Sequence, residues 1–359
     1  MGGKHKPCPN CGKELEFSAK HNALFCRHCE SQQTIIRTSD FSAENSDYLQ
    51  TLSELDEQAE VPEYIVANCE NCGAEQQFPE NVTADRCQYC DSPIVAAEYS
   101  TRPLRPSAVL PFKITREDAL QHFRQWLSSR WFLPSKIKKQ ARIDKFKGIY
   151  LPYWTYDCET SAPYTGQRGE YYYVTVSYTT TVNGKTVQRT RQERRTRWYP
   201  AAGMIKHHFI NILVPANHSL PEKLVRELEP WGLAELGEYQ PDLIRGNQEQ
   251  SYAVPLAAGF SDAQRQIEPR VREFIRRDIG GDEQRIHTVN IINDNIEFKL
   301  ILLPTWVNLF QFHNQQFIFL VNARTGEVQG ERPWSAWKIT FFTFFMLAIV
   351  AAIIVFFIH

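Results

Sequence analysis

Residues 171–198 read YYYVTVSYTTTVNGKTVQRTRQERRTRW. Two runs rich in Tyr, Val and Thr flank Asn183-Gly184, the pair best suited to a two-residue hairpin turn with positive φ at both central positions. The spacing predicts a β-hairpin with Val182 opposite Lys185 and Tyr178 opposite Arg189. Its return run concentrates cations at Arg189, Arg191, Arg194, Arg195 and Arg197, and the tyrosines of the first run can accept cation–π contacts from them. These five arginines are the candidate contacts to an anionic ligand. Three readings stand: a solvated hairpin with cross-strand Arg–Tyr pairs, which is favoured; a ribbon that binds RNA or DNA; and a surface for acidic lipid headgroups.

More strand-like sequence surrounds this hairpin. GIYLPYWTYD (148–157) is aromatic and β-branched, and 286–330 returns to strands with HTVNIIN, IEFKLILLPTWVNLF and QFIFLVN. Leu303-Pro304-Thr305-Trp306 echoes Leu151-Pro152-Tyr153-Trp154, a weak internal repeat. Helices are expected between the strands. Thr115 with Asp118 forms a capping box before the stripe Ala119, Phe123, Trp126, Leu127. Ser219, with Pro221 and Glu222, opens a second helix. Ser261 opens a third, striped by Ala263, Ile267, Val271, Phe274 and Ile275, broken or kinked at Pro269 and ended by Gly280-Gly281. The fold class read from this is α+β: a β-rich α+β domain over 99–333, entered through Pro103, Pro106 and Pro111.

The N-terminal third is organised by cysteines. Cys8, Cys11, Cys26 and Cys29 form one set, and Cys69, Cys72, Cys87 and Cys90 a second. One uniform shift along the chain carries the first set onto the second, and with it Gly12 onto Gly73, Phe17 onto Phe78 and Ser31 onto Ser92, an internal repeat. Two CxxC turns joined by a short hairpin supply the four corners of a tetrahedral Zn²⁺ site. Two zinc ribbons, 1–34 and 66–98, are therefore expected, each with one structural Zn²⁺ whose four thiolates leave no open position. The alternative is four disulfides, which requires an oxidising compartment. His5, His21 and His28 read as surface residues, and the ninth cysteine, Cys158, as a buried small hydrophobe. Between the ribbons, 35–65 is an acidic connector in which Tyr48, Leu49, Leu52 and Leu55 follow Ser46 at helical spacing, a short helix able to dock on a partner or on the main domain.

Formal net charge is −1, so no global bias points to nucleic acid. Ribbon two has the wrong sign for phosphates, with Arg86 alone against six carboxylates. Gly184-Lys185-Thr186 lacks the upstream glycine of a phosphate-binding loop, since residue 179 is Thr179, and His207-His208 lacks HExxH spacing. No catalytic residues are assigned and no enzyme is expected.

Ile339 to Ile358 carries no charge, Pro or Gly. Its length, with Trp334 and Trp337 at the entrance, predicts a transmembrane helix over 339–358. Arg324, Arg332 and Lys338 before it orient the N-terminus to the cytoplasm, which keeps the thiols reduced. The expected localisation is the cytoplasmic membrane, single-pass and tail-anchored.

The order of these features, from the two knuckle sets through LPFKIT, GIYLPYWTYD, LLPTW and VNARTGEVQGERPWS to the apolar end, resembles a family of bacterial double-zinc-ribbon, C-terminally membrane-anchored proteins. Members are often labelled primosomal protein N-prime, the replication-restart helicase, although helicase motors are absent here. The resemblance implies partnership with phage-shock-protein-A-like and flotillin-like proteins. The expected function is a membrane-anchored zinc-ribbon adaptor or scaffold that recruits protein partners to the cytoplasmic membrane surface in membrane stress or remodelling. The expected partners are the lipid bilayer and such proteins, with nucleic acid disfavoured. The alternative is a nucleic-acid-binding accessory of replication restart or transcription without a motor.

Overall fold

A computed structural model describes residues 6–35, 45–57, 104–130, 146–182, 185–312, 315–331 and 336–358, together with the backbone of five short strands between 64 and 100. The long hairpin is its backbone. Phe146–Val182 pairs antiparallel with Lys185–Pro215 from Tyr153↔Pro215 to Val182↔Lys185, with one bulge between Tyr156 and Cys158. Tyr178 stands opposite Arg189, as the Asn-Gly register predicts, while the turn itself lies outside the described residues. On its other edge Phe146–Val182 pairs antiparallel with Ile292–Phe312, which forms a second hairpin with Gln315–Asn322. The apolar continuity of 148–157 has a physical cause. This strand is central, and Ile149, Leu151 and Tyr153 bury on one face while Tyr150, Trp154 and Tyr156 bury on the other.

The Leu-Pro echo marks an internal duplication. Leu151 lies directly opposite Leu303. The shift that carries Leu151 onto Leu303 also carries Ile149 onto Ile301 and Tyr153 onto Thr305. Ile149 takes a parallel partner from Gln248–Glu249, and Ile301 takes one from Ala108–Val109. The hairpin partners then begin at Tyr153 in one half and Thr305 in the other. The two halves are thus related by a pseudo-two-fold axis at the Leu151–Leu303 pair.

The two long helices of the domain cover one face of the sheet, and the short Glu222–Arg226 packs on the other. Arg116–Ser129 begins with the expected reciprocal box between Thr115 and Asp118 and buries Ala119, Leu120, Phe123 and Leu127 against Phe146, Phe317 and Phe319. Leu256–Ile279 buries Ala263, Ile267, Val271 and Ile275 against Trp154, Tyr156 and Val214. It starts one turn before Ser261 and continues through Pro269, and Gly280 and Gly281 end it at positive φ. Ser219 does not cap a helix. Its hydroxyl donates to Gln250, and the helix beyond is only Glu222–Arg226. The connector helix, Tyr48–Glu57, is capped by Asp47, whose carboxylate accepts from the Gln50 N–H at 2.6 Å. It docks on the main sheet, with Tyr48 buried 5.0 Å from the Phe260 ring.

Two expectations are corrected. The chain is not α+β but mostly β: of the described residues 46% are strand and 28% helix. The cause is strand length. The three long strands run to 37, 31 and 21 residues, several times the usual five or six, while the second expected helix shrinks to a single turn. The second correction concerns the apolar end. A helix spans Ala336–Ile358 and exposes Trp337, Phe341 and Phe344. Among the described residues, however, no helix is long and apolar enough to cross a membrane. The transmembrane helix over 339–358, the tail anchor and the single-pass localisation are therefore not upheld, and the orientation argument for reduced thiols falls with them.

Candidate metal centre

Ribbon one is built on a three-stranded sheet in which Glu16–Ser18 pairs with Ala23–Phe25, and Ala23–Phe25 with Gln32–Gln33. The two knuckles have the same backbone turn. The Gly12 N–H donates to the Cys8 carbonyl and the Glu30 N–H to the Cys26 carbonyl, each at 2.9 Å. Gly12 takes a positive φ of 68°, and Glu30 sits in the same left-handed region at 58°, where a side chain is strained.

The turns bring the sulfurs of Cys8, Cys11, Cys26 and Cys29 within 4.8 Å of one another. Cys8 and Cys29 are 3.5 Å apart, as are Cys11 and Cys26. A tetrahedron with Zn–S bonds of about 2.3 Å has edges of roughly 3.8 Å, so the set fits one zinc ion. A disulfide needs S–S near 2.05 Å, and all four cysteines are free. Geometry therefore supplies what the orientation argument no longer can. Four thiolates close the shell, which is the arrangement of a structural site. His21 is not among the ligands; it stacks on Phe25 at 4.6 Å and hydrogen-bonds Ser18.

Ser31 is the residue whose role the sequence concealed. Its hydroxyl lies 2.9 Å from the Cys8 sulfur and 3.2 Å from that of Cys29. This contact, opposed by burial, brings the Cys8 thiol down to about 6, and it also lowers that of Cys29. Cys11 behaves oppositely. The Lys13 backbone favours its thiolate, but burial and the thiols of Cys29, Cys26 and Cys8 push it up to about 12. Four clustered thiols cannot all ionise unaided, and a divalent cation would supply the missing charge. The one available signal was that the internal repeat preserves Ser31 as Ser92.

The centre is tied to the main sheet. Phe17 packs with Val109, Phe112, Tyr150 and Leu243, and its N–H donates to the Arg245 carbonyl at 3.0 Å. Lys6 pairs with Asp242 at 2.5 Å. Cys69, Cys72, Cys87 and Cys90 lie outside the described residues. Cys158 is fully buried, as expected, and burial raises its thiol.

The five arginines are brought together on the hairpin, but not on one face. Arg189, Arg191, Arg195 and Arg197 alternate along one side of the return strand, and Arg194 points to the other. Three form the expected cation–π contacts: Arg194 over Tyr171 at 4.2 Å, Arg197 over Tyr172 at 5.0 Å and Arg191 over Tyr178 at 5.7 Å. Arg285 joins them from a neighbouring strand, 3.8 Å over Trp198, a contact that no local pattern announced.

No family model and no solved structure matches the chain. It is 25% identical to the uncharacterized protein YdjG of Bacillus subtilis (strain 168) over 336 residues, which cover 92% of this chain and 91% of YdjG. It is also 32% identical to methionine–tRNA ligase of Xylella fastidiosa (strain M12) over 120 residues, 31% of this chain but 16% of the ligase. So small a part of the ligase carries none of its activity over to this chain.

Proposed function

We propose that this protein is a non-catalytic adaptor in which zinc rigidifies a small N-terminal module and fixes it to a large β-sheet scaffold that other proteins bind. The observation that carries this reading is the closed four-thiolate centre welded through Phe17 to the sheet core. A metal with no open coordination position holds a surface in shape. A second zinc at Cys69, Cys72, Cys87 and Cys90 belongs to the same reading. Its support is the repeated backbone: Leu24 opposite Gln33 in ribbon one recurs as Asp85 opposite Ile94 in ribbon two.

The resemblance points to phage-shock-protein-A-like and flotillin-like proteins as the partners. The test immobilises the full chain and measures binding of one purified protein of each class, with Cys8→Ser/Cys29→Ser as the comparison. Saturable binding to at least one, weakened in the variant, is expected. No binding to either, or binding indifferent to the loss of the thiolates, overturns the proposal.

A further inference from the structure

Beyond Gly169 the long hairpin has no third strand among the described residues. Glu283–Val289 pairs with 164–169 and stops there. From Glu170 to Val182 the arm is a bare two-stranded ribbon, roughly 40 Å long at about 3.4 Å per residue. Between Arg168 and Tyr199 it carries seven cations against Glu170 and Glu193, a net charge of +5 in a chain whose total is −1. Glu170 is already engaged by Arg168 at 3.0 Å. Among the described residues no carboxylate pairs with Arg189, Arg191, Arg194, Arg195 or Arg197.

The tyrosines decide what such a surface suits. Tyr171, Tyr172 and Tyr178 each have a guanidinium laid over one ring face. That stacking holds Arg191, Arg194 and Arg197 in place, and guanidinium groups without a carboxylate partner suit bidentate acceptors such as phosphate. It also takes up ring faces on which single-stranded bases would otherwise stack. Same-face arginines two residues apart are separated by about 6.8 Å, close to the separation of successive phosphates along one strand. A two-stranded ribbon fits the major groove of B-form DNA, whereas that of A-form RNA is too narrow.

The geometry points to the distal ribbon, residues 170–182 and 185–197, as a binding element for duplex DNA that grips the phosphate backbone through Arg189, Arg191, Arg195 and Arg197 without reading sequence. This is independent of the adaptor reading, which concerns the zinc module and protein partners.

The test measures fluorescence anisotropy of a labelled duplex with the full chain. Four phosphate contacts predict roughly a hundredfold loss of affinity between 50 and 200 mM salt. Each single Arg→Gln substitution at 189, 191, 195 or 197 is expected to flatten the salt slope by about 1. Circular dichroism checks that each variant is folded, and the single variants decide the matter if a combined variant misfolds. No retention at 50 mM salt overturns the assignment, as does retention indifferent to all four substitutions. A single strand bound as tightly as the duplex removes the groove. Displacement by polyglutamate as effective as by unlabelled DNA identifies an acidic protein segment instead and overturns the nucleic-acid assignment.

Discussion

Replacing Ser31 by Ala removes one oxygen and two contacts, 2.9 Å to the sulfur of Cys8 and 3.2 Å to that of Cys29. The one hydroxyl proton that these two sulfurs share is lost, and removing a single such outer-shell partner typically costs about 10- to 100-fold in metal affinity. The direction follows from proton competition. Without the Ser31 hydroxyl the Cys8 thiol returns from about 6 toward its ordinary 9.0, and the metal must displace a proton it did not face before. Metal loss on acidification therefore moves to higher pH in the variant. The assay is competition with a chromophoric chelator at several pH values, in a Cys69→Ser/Cys72→Ser background so that one site reports. Ser31→Thr, which keeps a hydroxyl, should recover most of the loss. If Ser31→Ala binds zinc within about twofold of the parent, the hydroxyl is not tuning the thiolates and the reasoning fails.

Gly259→Ala should destabilise the fold although alanine favours helices. The new Cβ would sit 2.5 Å from the Tyr156 hydroxyl and 2.7 Å from Trp154 Cδ1, on rings held by hydrogen bonds to Leu256 and Val254. Overpacking of about 1–3 kcal/mol then exceeds the propensity gain of at most ~1 kcal/mol, and a urea midpoint at or above the parent's would refute this. Thiol titration should separate the cysteines: chelation exposes Cys8, Cys11, Cys26 and Cys29 to a disulfide reagent, while buried Cys158 reacts only on unfolding. Alkaline stability should be set in part by Tyr164, whose phenol is pushed up to about 12 by burial first and then by Asp278, to which it donates at 2.5 Å. A raised tyrosine contributes stability fully present below its unfolded value of 10.0 and lost as pH climbs through about 12, so Tyr164→Phe should shallow the fall in urea midpoint between pH 10 and 12.

Local signals in the sequence were read well where one residue pair sets the geometry. Asn183-Gly184 fixed the register of the arm from Val182↔Lys185 to Tyr178↔Arg189, Thr115 and Asp118 fixed one helix start, and CxxC spacing identified the four sulfurs of ribbon one. Signals that depend on tertiary context misled. Ser219 resembles a cap but its hydroxyl is claimed by Gln250, which is 31 residues away. Pro269 resembles a breaker, yet Leu256–Ile279 runs through it with Ile267 and Val271 buried on either side. The apolar end carries no polar face in sequence, which reads as a span, but hydropathy alone does not establish one. The repeat of Ser31 as Ser92 marks the position but not its role, which, like that of Glu30, depends on where the knuckle turns point the residue.

The pseudo-two-fold separates what the fold requires from what has been added to it. In the second half the hairpin pairing begins at Thr305 and the strand ends seven residues later, at Phe312. In the first half the equivalent pairing begins at Tyr153 and runs on to Val182. The sheet needs the first stretch, which buries Trp154, Tyr156 and Cys158, but the stretch beyond Gly169 leaves Tyr173 63% exposed and meets no third strand among the described residues. A two-stranded ribbon is only marginally stable in water, and Arg–Tyr stacking of about 0.5–1 kcal/mol per exposed contact holds it without coupling it to the core. Excising 171–196 and joining Glu170 to Arg197, which face each other across the ladder, through Asn-Gly should therefore leave the urea midpoint of the main sheet unchanged and abolish retention on duplex DNA. A collapse of the fold in that deletion would mean the arm is structural after all, and its arginines would then need no ligand to account for them.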